Sequence, residues 1–226
     1  KVYNLRELGG YQTPNGDTKY GVYLRSDNIS FLTENEIKML KAYGLKRVID
    51  FRHRLEIVEE PDPFEKDNDV LYQNFTYDAL VDYTDEDFDK IHMSKLYITL
   101  CEVQEFIQPV FTALALEEGT VLFHCSAGKD RTGVIAAILL KLVGVDFYDI
   151  VADYQVSKTY LDHKYKDNQD YSFLKYLNIN DSKPETMIEF LNYLDEKYDS
   201  IEAYLNSKGV TQKQIEQIRS KFIERI

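Results

Sequence analysis

Cysteine is scarce in this chain: two residues, Cys101 and Cys125, among 226. Two cysteines give no disulfide framework for a chain of this size, so a reduced thiol at Cys125 is the simpler reading. Positive charge is also short, with 27 Lys and Arg against 39 Asp and Glu and a net charge of −12. Such a surface repels nucleic acid and anionic lipid at long range. No nucleic-acid partner is expected, although a small pocket can still be locally positive. Long apolar runs are missing as well. The longest, Val134 to Leu140, falls far short of the roughly 18 residues of a membrane span and reads as a buried helix. The four histidines, His53, His92, His124 and His163, share no metal-ligand spacing, and no metal or cofactor is expected. No repeat, low-complexity tract or secretory leader is visible. The chain opens at Lys1 rather than Met, so a processed N-terminus stays open, and the expected location is cytoplasmic or secreted. With 44% hydrophobic and 29% charged residues, a packed core is expected rather than disorder. Residues 1–226 read as a single, monomeric domain.

Turn-rich sequence fills the first 25 residues, with Gly9-Gly10 and Pro14-Asn15-Gly16 and a strand expected over 21–25. Thr33 followed by Glu36 is a capping-box pattern, and Gly44 suits the end of that helix. Strands are expected over 45–51 and 70–75, with a short helix over 56–62 between them. Apolar residues at helical spacing run from Lys95 to Leu116, with Pro109 expected to kink or divide them. A buried strand over 120–123 precedes a helix over 132–143 closed by Gly144. Further helices are expected over 149–158, 185–198, 201–206 and 211–225. Strands alternating with helices predict an α/β fold with a central, mainly parallel sheet flanked by helices. The helical C-terminal third, about 160–226, is expected to pack on it.

The chemistry concentrates in His124-Cys125-Ser126-Ala127-Gly128-Lys129-Asp130-Arg131-Thr132-Gly133, between that strand and that helix. A helix N-terminus has unpaired N–H groups and partial positive charge, a ready anion site. Ser126, Ala127 and Gly128 are small enough for the backbone to wrap closely round an oxyanion. Arg131 brings a planar fork matched to two phosphate oxygens. Cys125 opens the loop, so its sulfur faces the same cradle, in surroundings of the kind that favour a thiolate. The expected reaction is attack of Cys125 on phosphorus, release of an alcohol or phenol, and hydrolysis of the phosphocysteine by water. Backbone amides from Ser126 to Arg131 would cradle the phosphate oxygens, and Thr132 is expected to donate a hydrogen bond to the Cys125 sulfur. A bare Cys-x5-Arg spacing is weak evidence. The longer pattern His-Cys-x2-Gly-x2-Arg-Thr-Gly in a strand–loop–helix context is specific. A buried cysteine in a plain turn leaves Lys129-Asp130-Arg131 unexplained.

On these residues the chain resembles the protein-tyrosine-phosphatase superfamily. More narrowly, it resembles bacterial tyrosine phosphatases whose loop reads His-Cys-x-Ala-Gly-Lys-Asp-Arg-Thr-Gly. Asn4-Leu5-Arg6-Glu7-Leu8-Gly9-Gly10-Tyr11 is similar to that family's N-terminal signature, with Glu7 where Asp is usual. Tyr23 to Ser26, Val48 to Arg52 with Glu56, and Ser200 to Leu205 are similar to family segments too. The resemblance thus covers nearly the whole chain. It implies a tyrosine-phosphatase-like fold and phosphotyrosine proteins as substrates, with phosphoserine, phosphothreonine and phosphoinositides as further ones. Lys129, a second cation beside Arg131, is the residue that points to phosphoinositides; its bland alternative is a solvated loop lysine.

The leaving group needs a proton, and the resemblance implies an aspartate as its donor. Asp130, inside the loop, is the first choice, with helix capping as its alternative role. Asp50, at the end of a predicted strand, is the second, with an ion pair to Arg52 or Arg54 as its alternative. The acidic cluster Asp82, Asp85, Asp87 and Asp89 stands where related phosphatases carry a mobile acid loop, and also reads as a solvated face. His124 is expected to order the loop rather than act as a base, and Cys101 to be core. A catalytically silent phosphoprotein- or phosphoinositide-binding module is the alternative function. The intact Cys125, Arg131 and Thr132 weigh against it, and Arg131 with Gly128 at this spacing weighs against a sulfur-transfer protein.

Overall fold

At the centre lies a strand whose five residues, Thr120–His124, are all buried. The computed structural model describes residues 1–76, 93–116, 118–166 and 181–224. Its strands are β1 Arg6–Glu7, β2 Gln12–Thr13, β3 Gly16–Thr18, β4 Tyr23–Ser26, β5 Leu45–Asp50, β6 Leu71–Asn74, β7 Thr120–His124 and β8 Ile223–Glu224. The helices are α1 Glu34–Tyr43, α2 Arg54–Glu59, α3 Met93–Glu102, α4 Gln104–Leu116, α5 Arg131–Val143, α6 Phe147–Lys166, α7 Pro184–Lys197, α8 Ile201–Ser207 and α9 Gln212–Phe222.

The main sheet has the order β1-β4-β7-β5-β6. The β4–β7, β7–β5 and β5–β6 pairs are parallel, and only β1 runs antiparallel, so the expected mainly parallel sheet is what forms. Successive strand residues point to opposite faces, and the two cores follow that alternation. Tyr23, Ile49, Val121 and Phe123 join the large core with the helices α3 to α9. Leu24, Val48 and Leu122 face the smaller core with Leu40, Phe64 and Val70. Helix α5 is buried at every residue from Thr132 to Leu140, which is why its sequence is apolar all round. The register pairs His124 with Ser26 on one side and Asp50 on the other. The loop after β7 therefore leaves from the C-terminal edge of the sheet, where open α/β sheets bind ligands.

Local signals explain most element ends. Thr33 and Glu36 complete both halves of the capping box of α1, and Gly44 closes that helix at φ 108°, a conformation that suits glycine. Several ends differ from expectation: β4 spans Tyr23–Ser26 against an expected 21–25, α6 spans Phe147–Lys166 against an expected 149–158, and three further differences have a visible cause. Helix α2 begins at Arg54 rather than Glu56, because His53 accepts from Leu55 N while the Glu56 carboxylate accepts from His53 N, a capping box built on histidine. The long helical run divides at Val103 and not at Pro109. The Val103 carbonyl accepts from Phe106 and Ile107 and starts α4, and α4 continues through Pro109. Helix α9 stops at Phe222, because Ile223 and Glu224 pair with Thr18 and Asp17 and close the small sheet β2-β3-β8.

Candidate active site

Cys125 to Asp130 link the buried strand β7 to the buried helix α5, and the peptide planes of this loop are held from outside. The Ser126 carbonyl accepts from Asn28 N at 3.2 Å. The Ala127 carbonyl accepts from Asn4 Nδ2 at 2.9 Å. The Gly128 carbonyl accepts from Asn4 Nδ2 at 3.2 Å and from Arg25 at 2.8 Å. Carbonyls held outward leave the opposite ends of those peptides for the inside of the loop. Gly128 N–H donates to the Cys125 sulfur at 3.3 Å. Among the described residues, the N–H groups of Ser126, Ala127, Lys129, Asp130 and Arg131 have no protein acceptor. Such a ring of amides at a helix N-terminus is an anion cradle. Gly128 is required by the close approach behind it: at φ +65° a Cβ there would stand 2.2 Å from the Ser26 carbonyl oxygen.

Arg131 begins α5 and reaches across the mouth of the loop. Its NH1 donates to the Phe51 carbonyl at 2.8 Å and to Glu56 Oε2 at 3.0 Å, and its NH2 donates to Glu56 Oε1 at 3.3 Å and Ser126 Oγ at 3.1 Å. Its Nε makes no hydrogen bond among the described residues, which leaves part of the fork for an oxyanion. Burial disfavours the guanidinium charge, but Cys125 and Glu56 outweigh that and raise the arginine pKa. Glu56 mirrors this: burial works against its charge, yet Arg131 and Ser126 hold its carboxyl below the usual range. Ser126 Oγ also donates to Glu56 Oε1. The capping box of α2 thus aims Glu56 at Arg131.

Beneath the loop lies a second, fully buried pair. Arg25 donates to Asp153 Oδ2 while its NH2 holds the Gly128 carbonyl. Asp153 Oδ1 accepts from Arg6 Nε at 2.8 Å, and Arg6 also holds the Asp153 carbonyl at 2.7 Å and Ser157 Oγ at 3.0 Å. Burial, then the neighbouring Arg6, lower the Arg25 pKa to about 10 against the pull of Asp153. Burial pushes Asp153 toward neutrality, but Arg25 and Arg6 hold it ionised. Asn4, which carries the loop, is oriented by Asp27 Oδ1 at 2.9 Å and by Arg6.

The candidate acids sit in different surroundings. Asp130 makes no side-chain cap bond to α5. It accepts instead from the buried Tyr97 hydroxyl and lies 3.1 Å from Lys129 Nζ. Tyr97 stands 2.8 Å from the Tyr154 hydroxyl. Asp50 is fully buried and tied down: Arg52 reaches both of its oxygens at 2.8 to 3.1 Å, and Tyr72 donates to it at 3.0 Å. Burial raises the Asp50 pKa, but the charge of His124 and the bonds of Arg52 bring it below the ordinary value. Asp82, Asp85, Asp87, Asp89 and His92 lie outside the described residues.

Two placements differ from the sequence reading. Thr132 Oγ1 is buried without a hydrogen-bond partner, so the bond expected from it to the Cys125 sulfur is not made here; the donor at that sulfur is Gly128 N–H. Lys129 is 1% exposed, pinned between Asp130 and the Asp181 carbonyl at 3.4 Å, and is not a solvated loop lysine. Asp50, Asp62 and His124 place three ligand-type atoms within 4.8 Å. Arg52 already occupies Asp50 and lies 3.9 Å from Asp62, so this cluster fits a proton between partners better than a divalent cation. Cys101 is core, and burial, then Glu102, push its thiol up to about 12.

Arg25, Asp153, Asp62 and Asn4 escaped the sequence reading as site residues. Arg25 carried a usable signal, a charge inside an apolar strand. Asp153 carried none, being one acidic residue in a mixed helix.

Comparison with known proteins agrees with this geometry. The pattern defining the tyrosine phosphatase family matches residues 1–224. A tyrosine-protein phosphatase of Nostoc commune is 35% identical over 156 residues, covering 66% of this chain and 52% of that protein. The triple specificity protein phosphatase PtpB of Mycobacterium tuberculosis is 51% identical over 51 residues, 23% of this chain and 18% of that one. The chain spans about half the length of the Nostoc relative. With the family pattern matched nearly from end to end over a parallel sheet that carries the Cys125–Arg131 loop at its C-terminal edge, the chain belongs to the tyrosine phosphatase family in its bacterial form.

Proposed function

We propose that this chain hydrolyses phosphomonoesters, phosphotyrosine proteins first among them, through a phosphocysteine on Cys125. The observation that carries the reading is the inward-facing, unpartnered amides of the loop around the Cys125 sulfur, with Arg131 across its mouth. A phosphoryl group in that cradle meets donors aimed where charge develops in the transition state. Sulfur attacks phosphorus, the bond from phosphorus to the tyrosine oxygen breaks, and that oxygen takes a proton. Water then attacks the phosphocysteine, the S–P bond breaks, and inorganic phosphate leaves with the thiolate restored.

Asp130 is the preferred proton donor among the described aspartates. It is partly exposed at the loop mouth and held by Tyr97. Asp50, locked by Arg52, suits a structural ion pair better. Asp130→Asn is expected to remove the basic limb of the pH–rate profile for a substrate with a poor leaving group. An unchanged limb would move the role to the acidic cluster.

Phosphoinositides are the second substrate class. The name of the Mycobacterium tuberculosis relative attributes three specificities to that protein, and the 51-residue stretch that is 51% identical supports a wider range here. Lys129 must leave Asp130 to meet a second phosphate, so the protein substrate ranks first. The test is phosphate release in EDTA from p-nitrophenyl phosphate, a phosphotyrosine peptide and a phosphoinositide, for wild type and Cys125→Ser. Turnover by wild type alone supports the reading. Binding of phosphopeptide without turnover by either protein would leave the silent binding module instead.

A further inference from the structure

The segment from Asn4 to Tyr11 stands out in the sequence but takes no part in the chemistry above. Asn4 nevertheless has no exposed surface, and its side chain ends on the Cys125–Arg131 loop. The peptide joining Ala127 to Gly128 turns its carbonyl to Asn4 Nδ2 at 2.9 Å and its N–H to the Cys125 sulfur at 3.3 Å. The next peptide turns its carbonyl to the same Nδ2 at 3.2 Å, and its N–H, that of Lys129, is one of the unpartnered amides of the cradle. A trans peptide sends its carbonyl and its N–H in opposite directions, so fixing one aims the other. Arg25 shares the Gly128 carbonyl at 2.8 Å. Asn4 is the only donor to the Ala127 carbonyl among the described residues.

The Asn4 amide can sit only one way round. Its Oδ1 accepts from Arg6, which has only hydrogens to offer, and its Nδ2 faces two carbonyls, which have none. The backbone of Asn4 is fixed as well. Its N–H donates to Asp27 Oδ1 at 2.9 Å, Tyr3 N–H donates to the same oxygen at 3.0 Å, and Lys164 Nζ donates to Asp27 Oδ2 at 3.2 Å. Arg6 also donates to the Asn4 carbonyl at 3.2 Å while Asp153 holds its Nε at 2.8 Å. Asparagine supplies what this place requires, two hydrogens on one nitrogen with an acceptor opposite. Aspartate would set negative oxygens against two carbonyls, and alanine would leave the Ala127 carbonyl without its donor.

We propose that Asn4 is a positioning residue for both halves of the site: it aims Gly128 N–H at the Cys125 sulfur and Lys129 N–H at the bound phosphate. A single side-chain amide, 123 positions before Ala127 in sequence, thereby sets two consecutive peptide planes of the loop. The inference rests on the loop being the phosphate site proposed above, and not on which phosphoester is the substrate.

The test pairs a measurement free of turnover with a kinetic one. Inorganic phosphate is titrated calorimetrically into Cys125→Ser, with and without Asn4→Asp, and kcat and KM on p-nitrophenyl phosphate are compared for wild type and Asn4→Asp. Phosphate binding is expected to weaken about tenfold, the worth of one well-made hydrogen bond. The value of kcat is expected to fall by about 10²-fold, the loss that follows when reacting groups are displaced by about 1 Å, and by more than KM rises. Asn4→Ala should lose less than Asn4→Asp, because Arg25 still holds the Gly128 carbonyl. Asn4→Gln, which keeps both hydrogens on a longer stem, should recover part of the loss seen with Asn4→Ala. If Asn4→Asp does not fold, Asn4→Ala carries the same test. Unchanged phosphate affinity and kcat in a variant whose urea midpoint has fallen would overturn the proposal, since Asn4 would then serve stability alone. Weakened phosphate binding in a chain that hydrolyses no phosphoester would support it while removing the phosphatase reading. No phosphate binding by the Cys125→Ser parent would overturn both.

Discussion

Arg25 and Asp153 meet beneath the Cys125–Arg131 loop with 0% and 2% of their side chains exposed, whereas Arg131 and Glu56 meet at its mouth with 19% and 35% exposed. The two pairs share their chemistry but not their solvent. Below, neither ion is open to water, and the arginine also carries the Gly128 carbonyl. The loop, the N-terminal segment through Arg6 and helix α6 are thereby tied at one point. Above, Glu56 and the Phe51 carbonyl hold the Arg131 fork in place. On the proposed function an arriving phosphate would share that fork, because partly exposed ion pairs exchange partners at low cost. The same pair of residue types serves as scaffold where water is excluded and as an adjustable clamp where it is not.

The comparison breaks most sharply at Asp153. Asp153→Asn leaves Arg25 charged, buried and short of its counter-ion. The expected loss is about 3–5 kcal/mol, read from the midpoint of a urea unfolding curve at unchanged slope. A loss below about 1 kcal/mol would mean that the lower pair is no more structural than the upper one. Arg131→Lys should do the reverse. A point charge cannot replace the fork, so kcat is expected to fall by about 10²–10³-fold while the unfolding midpoint stays put.

A third carboxylate sharpens the contrast away from the loop. Glu102, at the end of α3, is bonded by Lys208 at 2.7 Å, Tyr198 at 2.8 Å, Tyr193 at 2.9 Å and Lys197 at 3.1 Å, joining α3 to the C-terminal helices. Burial works against its charge, but Lys208, Tyr198 and Lys197 bring its pKa down to about 2. Its folded value thus lies below its unfolded one. The stabilisation is fully present above about pH 4.3, the ordinary glutamate value, and is lost as pH falls toward 2. Glu102→Gln should therefore cost about 1–2 kcal/mol at pH 7, and the difference from wild type should vanish on acidification, followed by thermal melts across that range.

The smallest effect is expected at Glu56. Glu56→Gln keeps the capping geometry of α2 and weakens only the hold on Arg131. Stability should change by less than about 1 kcal/mol, and KM for p-nitrophenyl phosphate should rise by a few-fold. A large loss of stability would show that the upper pair is a scaffold too.

Much of this was legible in the residues. The capping box at Thr33, the glycine ends at Gly44 and Gly144 and the all-apolar α5 are local effects, and they formed where the sequence predicts them. The division at Val103 instead of Pro109 was not legible, because the cost of a proline inside a helix, about 3 kcal/mol, is offset here by burial of its neighbours Phe106, Ile107, Val110 and Phe111. The strand β8 was hidden for a related reason: buried Ile223 and exposed Glu224 fit the amphipathic pattern of α9, and only their pairing with Thr18 and Asp17 ends the helix.

The sequence by itself determined the strand–loop–helix unit around Cys125 and the apolar character of the sheet and of α5, whereas the need for glycine at position 128 comes from the Ser26 carbonyl packed behind it. The first two depend on residues within about one turn of each other or on burial alone. Tertiary structure decided which charges meet. Glu56 clamps Arg131, Asp153 supports Arg25, Asp62 faces His124, and Lys129 is buried against Asp130. Apart from the neighbours Lys129 and Asp130, these partners come from separate elements. A carboxylate's role is set by the cation and the water it meets, and neither is encoded in its immediate neighbours along the chain.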